Sequence, residues 1–142
     1  MQIYNKLHWP VDTPRTRAKQ LSKTKLSYLQ SIAELASEIN HSTLTTPILL
    51  VDVQTDNAGN PTSKPLDSGV VLYAKKQDGT IVVFCCDRYY KVADNIRQLA
   101  RYIHHGRKLA ELPVHTVNGL KYLQDRQRAL ANMPTGKTAL NP

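Results

Sequence analysis

The stretch VVFCCDRYYKVADNIRQLARYIHHGRK, residues 82–108, decides the architecture, because the period of its apolar residues changes partway along. Up to Cys86 the residues alternate as in a strand: Ile81, Val83 and Cys85 share one face, and Val82, Phe84 and Cys86 the other. Beyond Asp87 the spacing becomes helical. Val92, Ile96, Leu99 and Ile103 form one stripe with Ala93 and Ala100 beside it, while Arg97, Gln98, Arg101, His105 and Lys108 lie opposite. A strand thus hands over to an amphipathic helix with a basic outer face. Cys85, Cys86, Asp87 and Arg88 sit at the join.

Upstream, VVLYAKK and TIVVFCC flank QDGT, and Asp78-Gly79 between two β-branched runs is a strong hairpin signal. Before the hairpin, residues 55–69 (TDNAGNPTSKPLDSG) are dominated by Gly, Pro, Asn, Asp and Ser and predict a long, exposed, mobile loop. The apolar run Ile48 to Val53 predicts a buried strand. In LSYLQSIAELASEIN, residues 26–40, Leu29, Ile32, Ala36 and Ile39 recur at helical spacing, with Ala33 and Leu35 widening the stripe. Pro10, Pro14 and the turn-prone Asp12-Thr13 mark residues 1–16 as an extended N-terminal arm. Downstream, Val117, Leu120, Leu123 and Leu130 predict a third helix, weakened by Gly119. Residues 131–142 read as a flexible tail. The expected fold is therefore α+β: residues 17–130 form one domain in the order helix-strand-strand-strand-helix-helix, with three helices packed on a three-stranded, mainly antiparallel sheet.

At 142 residues and 41% apolar content, the chain is sized for one modest core. No run approaches the roughly eighteen apolar residues of a membrane span, and MQIYNKLHWP lacks the apolar core of a signal peptide. A soluble cytoplasmic protein with no membrane partner is expected. The net charge is +8, and the cations concentrate in two segments. Residues 14–25 hold Arg15, Arg17, Lys19, Lys23 and Lys25 with no acid, and residues 88–108 hold Arg88, Lys91, Arg97, Arg101, Arg107 and Lys108 against Asp94 alone. Such clustering suits an anionic partner, nucleic acid first among them.

Trp9, Pro10, Pro14, Arg15 and Thr16 in the arm, Gly69, Val70 and Tyr73 at the hairpin, and Cys86, Asp87, Arg88, Tyr89, Val92, Asp94, Asn95 and Arg97 at the join form an ordered set of motifs. Over about residues 8–125 the chain resembles a family of small proteins from bacteriophages and other mobile elements. That family shows a Trp-Pro…Pro-Arg-Thr arm, a Pro-Gly-Val-x-x-Tyr strand, Cys-Asp-Arg-aromatic and Val-x-Asp-Asn-hydrophobic-Arg. Many members are labelled J-domain proteins, because some carry a C-terminal J domain. No His-Pro-Asp occurs in this chain, so the resemblance implies a mobile-element setting and not a co-chaperone activity. The chain departs from the pattern at Ser68, where Pro is common, and in its second cysteine, Cys85.

The residues at the join admit several chemistries. A nucleophilic Cys86 needs a base or a positive neighbour, and Arg88, His104 and His105 are the candidates; small apolar packing is the plainer role for both cysteines. Asp87 can cap the turn while Arg88 pairs with Asp94, or Arg88, Tyr89 and Lys91 can grip a phosphate backbone, the tyrosine stacking on a base. Asp52 and Asp87 could converge to hold Mg²⁺, with Lys75 or Lys76 beside them, as in a metal-dependent nuclease. His104 and His105 point about 100° apart on a helix and do not readily share a metal. Trp9 either docks the arm on the core or inserts into a partner.

The reading that follows is a non-enzymatic accessory protein of a mobile element, with no cofactor. It would bind nucleic acid through Arg15, Arg17, Lys19, Arg88, Tyr89, Lys91, Arg97, Arg101 and Lys108. A protein-interaction module for an acidic host or phage protein is the alternative, and a metal-dependent nuclease the third.

Overall fold

The structure is a computed structural model and describes residues 1–132, so the predicted tail at 131–142 falls almost wholly outside the described residues. Its elements in chain order are β1 (Gln2–Tyr4), α1 (Tyr28–Asn40), β2 (Thr45–Val51), β3 (Val70–Lys75), β4 (Ile81–Cys86), α2 (Val92–Ala110) and α3 (Gly119–Ala131). The class is α+β, as the changing periods predict.

The sheet corrects the expectation of three strands. It has four, in the order β1-β2-β3-β4, and it is mixed. The arm itself supplies the extra strand: β1 runs parallel to β2, with Gln2 opposite Ile48 and Tyr4 opposite Leu50. A three-residue strand is too short for alternation to be visible, and its pairing is set by the tertiary fold. The other ladders are antiparallel, with Leu49 opposite Leu72 and Leu72 opposite Phe84.

This register sorts the sheet into two faces. Leu49, Val51, Val70 and Leu72, with Phe84 and Cys86 partly buried, face the core. The same cluster contains Tyr28, Leu35 and Ile39 of α1 and Val92, Ile96, Leu99, Ala100 and Ile103 of α2. The opposite face carries the buried Val71, the half-buried Ile48, Leu50, Tyr73 and Cys85, and the exposed Val83. The helices that build the core are thus α1 and α2. The helix α3 belongs to a second unit that starts at Leu112; Asn118 caps it by accepting from the Lys121 amide, and none of its residues is buried.

The stripe on α2 is the predicted one. That on α1 is rotated by about one position: Tyr28, Ser31, Leu35 and Ile39 are buried, while Leu29 and Ala33 are exposed. Ser31 fits because its hydroxyl donates to the Tyr28 carbonyl at 2.7 Å, satisfying a buried polar group locally. A capping box of Ser27 and Gln30 starts α1.

The hairpin turns where Asp78-Gly79 indicates. Gly79 has φ +85°, and Thr80 donates its amide to Asp78. The loop before β3 is more ordered than its composition predicts. Asp56 accepts from the amides of Ala58 and Asn60, Thr62 bonds back to Gln54, and Thr55 bridges Pro61.

Candidate functional site

The motif residues of the arm, the β3 entry and the strand-to-helix join meet in one polar knot. Asp87 is buried, 4% exposed, and both of its oxygens are occupied. Arg15 Nε donates to it at 2.8 Å, the Thr16 hydroxyl at 2.6 Å and the Thr16 amide at 3.0 Å. The other arm of the Arg15 guanidinium reaches Asp67 at 2.7 Å, and its carbon stands 4.2 Å over the Trp9 ring. Trp9 in turn donates its indole N–H to the Thr13 carbonyl. Gly69 lies directly beneath: a Cβ there would come within 3.2 Å of Trp9 Cζ3 and 3.1 Å of Asp67 Oδ1. A side chain at this position would therefore have to push Trp9, Asp67 or Arg15 back by a few tenths of an ångström.

Asn95 is the second centre of the knot. It is fully buried and uses its whole amide: Oδ1 accepts from the Tyr89 amide at 2.9 Å, and Nδ2 donates to the carbonyls of Ser68 and Tyr89. The Cys86 thiol lies 3.4 Å from the same Oδ1. Ser68 donates to the Tyr89 carbonyl and accepts from Lys19. Asp94 accepts from the Thr24 amide at 3.0 Å. Residues 9–24 are therefore tied to the end of the sheet by side chains of the join, with a main-chain bridge between Gln20 and Tyr89.

This geometry answers the question posed by Cys85, Cys86, Asp87 and Arg88. Burial pushes both thiols up from their ordinary pKa, the reverse of what a nucleophile needs. Asp87 anchors the arm and does not cap the turn. Arg88 turns to Gln20, whose side-chain oxygen, in the orientation that satisfies both groups, accepts from Nε at 3.2 Å, and not to Asp94. For a nuclease, Asp87 has no free oxygen, and Asp52 accepts from the Asp67 amide at 2.9 Å. Among the described residues no group of three His, Cys, Asp or Glu is placed to hold a metal ion.

Most of the predicted phosphate-binding residues have partners within the protein. Tyr89 is 8% exposed, so its ring is unavailable for stacking on a base. Arg15 and Lys19 are held in the knot. Lys91 donates to the Leu26 carbonyl, and Arg97 to the Thr24 hydroxyl. On the outer side of α2, Lys108 reaches Glu111 at 3.6 Å, and His104 and Arg107 turn to Glu38 of α1. Arg17 and Arg101 remain exposed with no partner among the described residues.

A different surface stands out beside β4. This strand closes the sheet, so one of its edges has no partner among the described residues. Its six residues, IVVFCC, include no charge and no proline, the usual devices that protect an edge. Ile81 is 62% and Val83 40% exposed. Between this edge and α2 runs a groove of ≈ 620 Å³ walled by Phe84, Cys86, Leu99 and Tyr102, with Arg101 and His105 also lining it. Phe84 and Tyr102 stand 5.6 Å apart as a tilted aromatic pair. Tyr102 had a signal in the sequence that charge counting passes over: it is an aromatic residue within an otherwise basic helix face.

No protein-family model, curated protein or solved structure matches the chain. No described helix is long and apolar enough to cross a membrane.

Proposed function

We propose that this chain is a non-enzymatic binding module whose partner is an extended, acidic segment of another protein, added as a further strand along β4. The observation that carries the reading is the unprotected β4 edge beside an apolar groove. An extended peptide there gains main-chain hydrogen bonds from the edge, and its alternate side chains enter the groove. Arg101 and His105 beside the groove, in a chain of net charge +8, favour acidic residues in the segment. The resemblance of the arm and join motifs to phage and mobile-element proteins supports a role as an accessory factor in that setting.

Nucleic-acid association is the second reading, supported by Arg17, Lys23 and Lys25, which are exposed along the arm segment. The two are separated by titrating the chain with a short peptide alternating Val and Glu, its Lys-for-Glu counterpart and a single-stranded oligonucleotide. Strand addition predicts preference for the acidic peptide and new exchange protection of β4 amides. It also predicts loss of at least about tenfold in affinity for Val83→Lys, because a charge on an edge blocks pairing. Arg101→Glu should weaken the acidic peptide and spare a neutral one. Oligonucleotide binding that falls steeply with salt and ignores Val83→Lys favours the second reading. Self-association lost in Val83→Lys would make a second copy the occupant.

A further inference from the structure

The hairpin fixes which main-chain groups β4 leaves free. The Lys76 amide donates to the Thr80 carbonyl at 2.9 Å, so these two residues are a hydrogen-bonded pair. Bonded and non-bonded pairs alternate along an antiparallel ladder. Ala74 with Val82, Leu72 with Phe84 and Val70 with Cys86 are therefore the bonded pairs, and Val82, Phe84 and Cys86 direct their amides and carbonyls to β3. Those of Ile81, Val83 and Cys85 point to the open edge, where no turn or loop among the described residues bonds to them.

That parity sets the register of an added strand. Its main chain bonds to Val83 and Cys85, and one of its residues falls directly opposite Phe84. In an antiparallel ladder this is a non-bonded pair, the kind in which side chains approach most closely. The incoming side chain lies on the face of Phe84, which is turned to the core and α2. There it meets Tyr102, whose ring is 5.6 Å from that of Phe84 and which is 67% exposed. Two tilted rings beside open space favour a third aromatic side chain.

The basic side chains are placed by the direction of α2. The Cys86 thiol is 3.4 Å from Asn95 Oδ1 near the start of the helix, and Phe84 meets Tyr102 about two turns further on, so α2 runs opposite to β4. His105 consequently lies toward Val82, with Arg101 a turn before it; both line the groove, and no acidic side chain does. A partner residue opposite Val82 shares the face of the one opposite Phe84 and comes beside both.

We propose that β4 selects segments in which an aromatic residue is followed two positions later by Asp or Glu, bound antiparallel. The aromatic ring would pack on Phe84 and Tyr102, and the carboxylate would meet Arg101 and His105. This motif rests on the strand addition proposed above and adds its register, its direction and its side-chain preference.

The test compares three peptides of one composition on the whole chain, with amide hydrogen exchange and binding both read by NMR. Thr-Thr-Phe-Thr-Glu-Thr-Thr carries the motif. Thr-Thr-Phe-Glu-Thr-Thr-Thr turns the carboxylate to the other face, and Thr-Thr-Glu-Thr-Phe-Thr-Thr reverses the order. The first should bind at least about fivefold more tightly than either of the others. It should bring new protection to the amides of Val83 and Cys85, which alternate with the already bonded Val82 and Phe84. Tyr102→Ala, at an exposed position, should weaken the motif peptide several-fold with an unchanged thermal midpoint, and Arg101→Gln with His105→Gln should erase its advantage over the second peptide. Protection of β4 with all three peptides at equal affinity overturns the motif and leaves strand addition standing. No protection of β4 with any of them overturns both. The peptide comparison on the wild-type chain decides the matter even if a variant fails to fold.

Discussion

Asp87 holds Arg15 and Thr16 of the arm, and its ionisation is coupled to folding. Burial alone would raise its pKa, but the Thr16 hydroxyl and amide and the Arg15 guanidinium outweigh burial and hold it below the ordinary aspartate value of 3.8. A depressed folded-state pKa contributes stability that is present above the unfolded value and lost as pH falls through the folded one. Asp67 is shifted in the same direction: burial is again opposed and outweighed, here by Arg15 and the Gly69 amide. Asp87→Asn is therefore expected to cost about 2–3 kcal/mol at neutral pH, since it leaves Arg15 partly unpaired, and to flatten the acid limb of stability below about pH 4. Chemical denaturation across pH measures both; an acid limb as steep as wild type would remove Asp87 from this role. The cysteines make the next test. With both thiols pushed up by burial, Cys86, the more buried, should react with a disulfide reagent at neutral pH only as the protein unfolds. A third residue carries strain: Thr46 adopts φ 46° where the β2–β3 register shifts. A β-branched residue is poorly suited to that conformation, so Thr46→Gly or Thr46→Asn should stabilise by about 0.5–1 kcal/mol in thermal unfolding.

Among the elements, the hairpin, β2 and α2 were legible in the residues because local chemistry and tertiary placement agree there. Gly79 has open space around its Cα and φ +85°. Gly79→Ala should therefore cost about 1 kcal/mol for backbone conformation alone, with no clash added. The stripe on α1 was misplaced because apolar counting scores Leu29 above Ser31, whereas a serine that bonds to its own helix is buried without penalty. The strand β1 left no periodic trace. For the loop at residues 55–69, composition reports low apolar content but not the closure Asp56 imposes on its tip. Its two ends should consequently respond differently. Deleting residues 57–59 should cost little, whereas deleting 66–68 removes Asp67 and Ser68 from the knot and should unfold the domain, as circular dichroism of the two variants would report.

At the scale of the molecule, cations that look alike in sequence have different fates within each basic segment: Arg15 and Lys19 are tied while Arg17 is free, and Arg97 and Arg107 are tied while Arg101 is free among the described residues. Cations facing carboxylates or carbonyls across long sequence separations become part of the scaffold, and no local pattern distinguishes them from free ones. The groove leaves no trace in the sequence for a related reason: it exists because β4 ends the sheet. Every residue of the core cluster lies between Tyr28 and Ile103, so a chain ending at Glu111 should retain cooperative unfolding with a similar midpoint. The arm, by contrast, has its anchors far downstream, with Arg15 and Asp87 72 residues apart in the chain. During synthesis at about 5–20 residues per second, Asp87 is polymerised roughly 4–14 seconds after Arg15. Through that interval Arg15 and Thr16 lack the carboxylate that holds them in the folded protein. Docking of the arm through Arg15 and Thr16 is thus a late step of folding, completed only when the strand-to-helix join is in place.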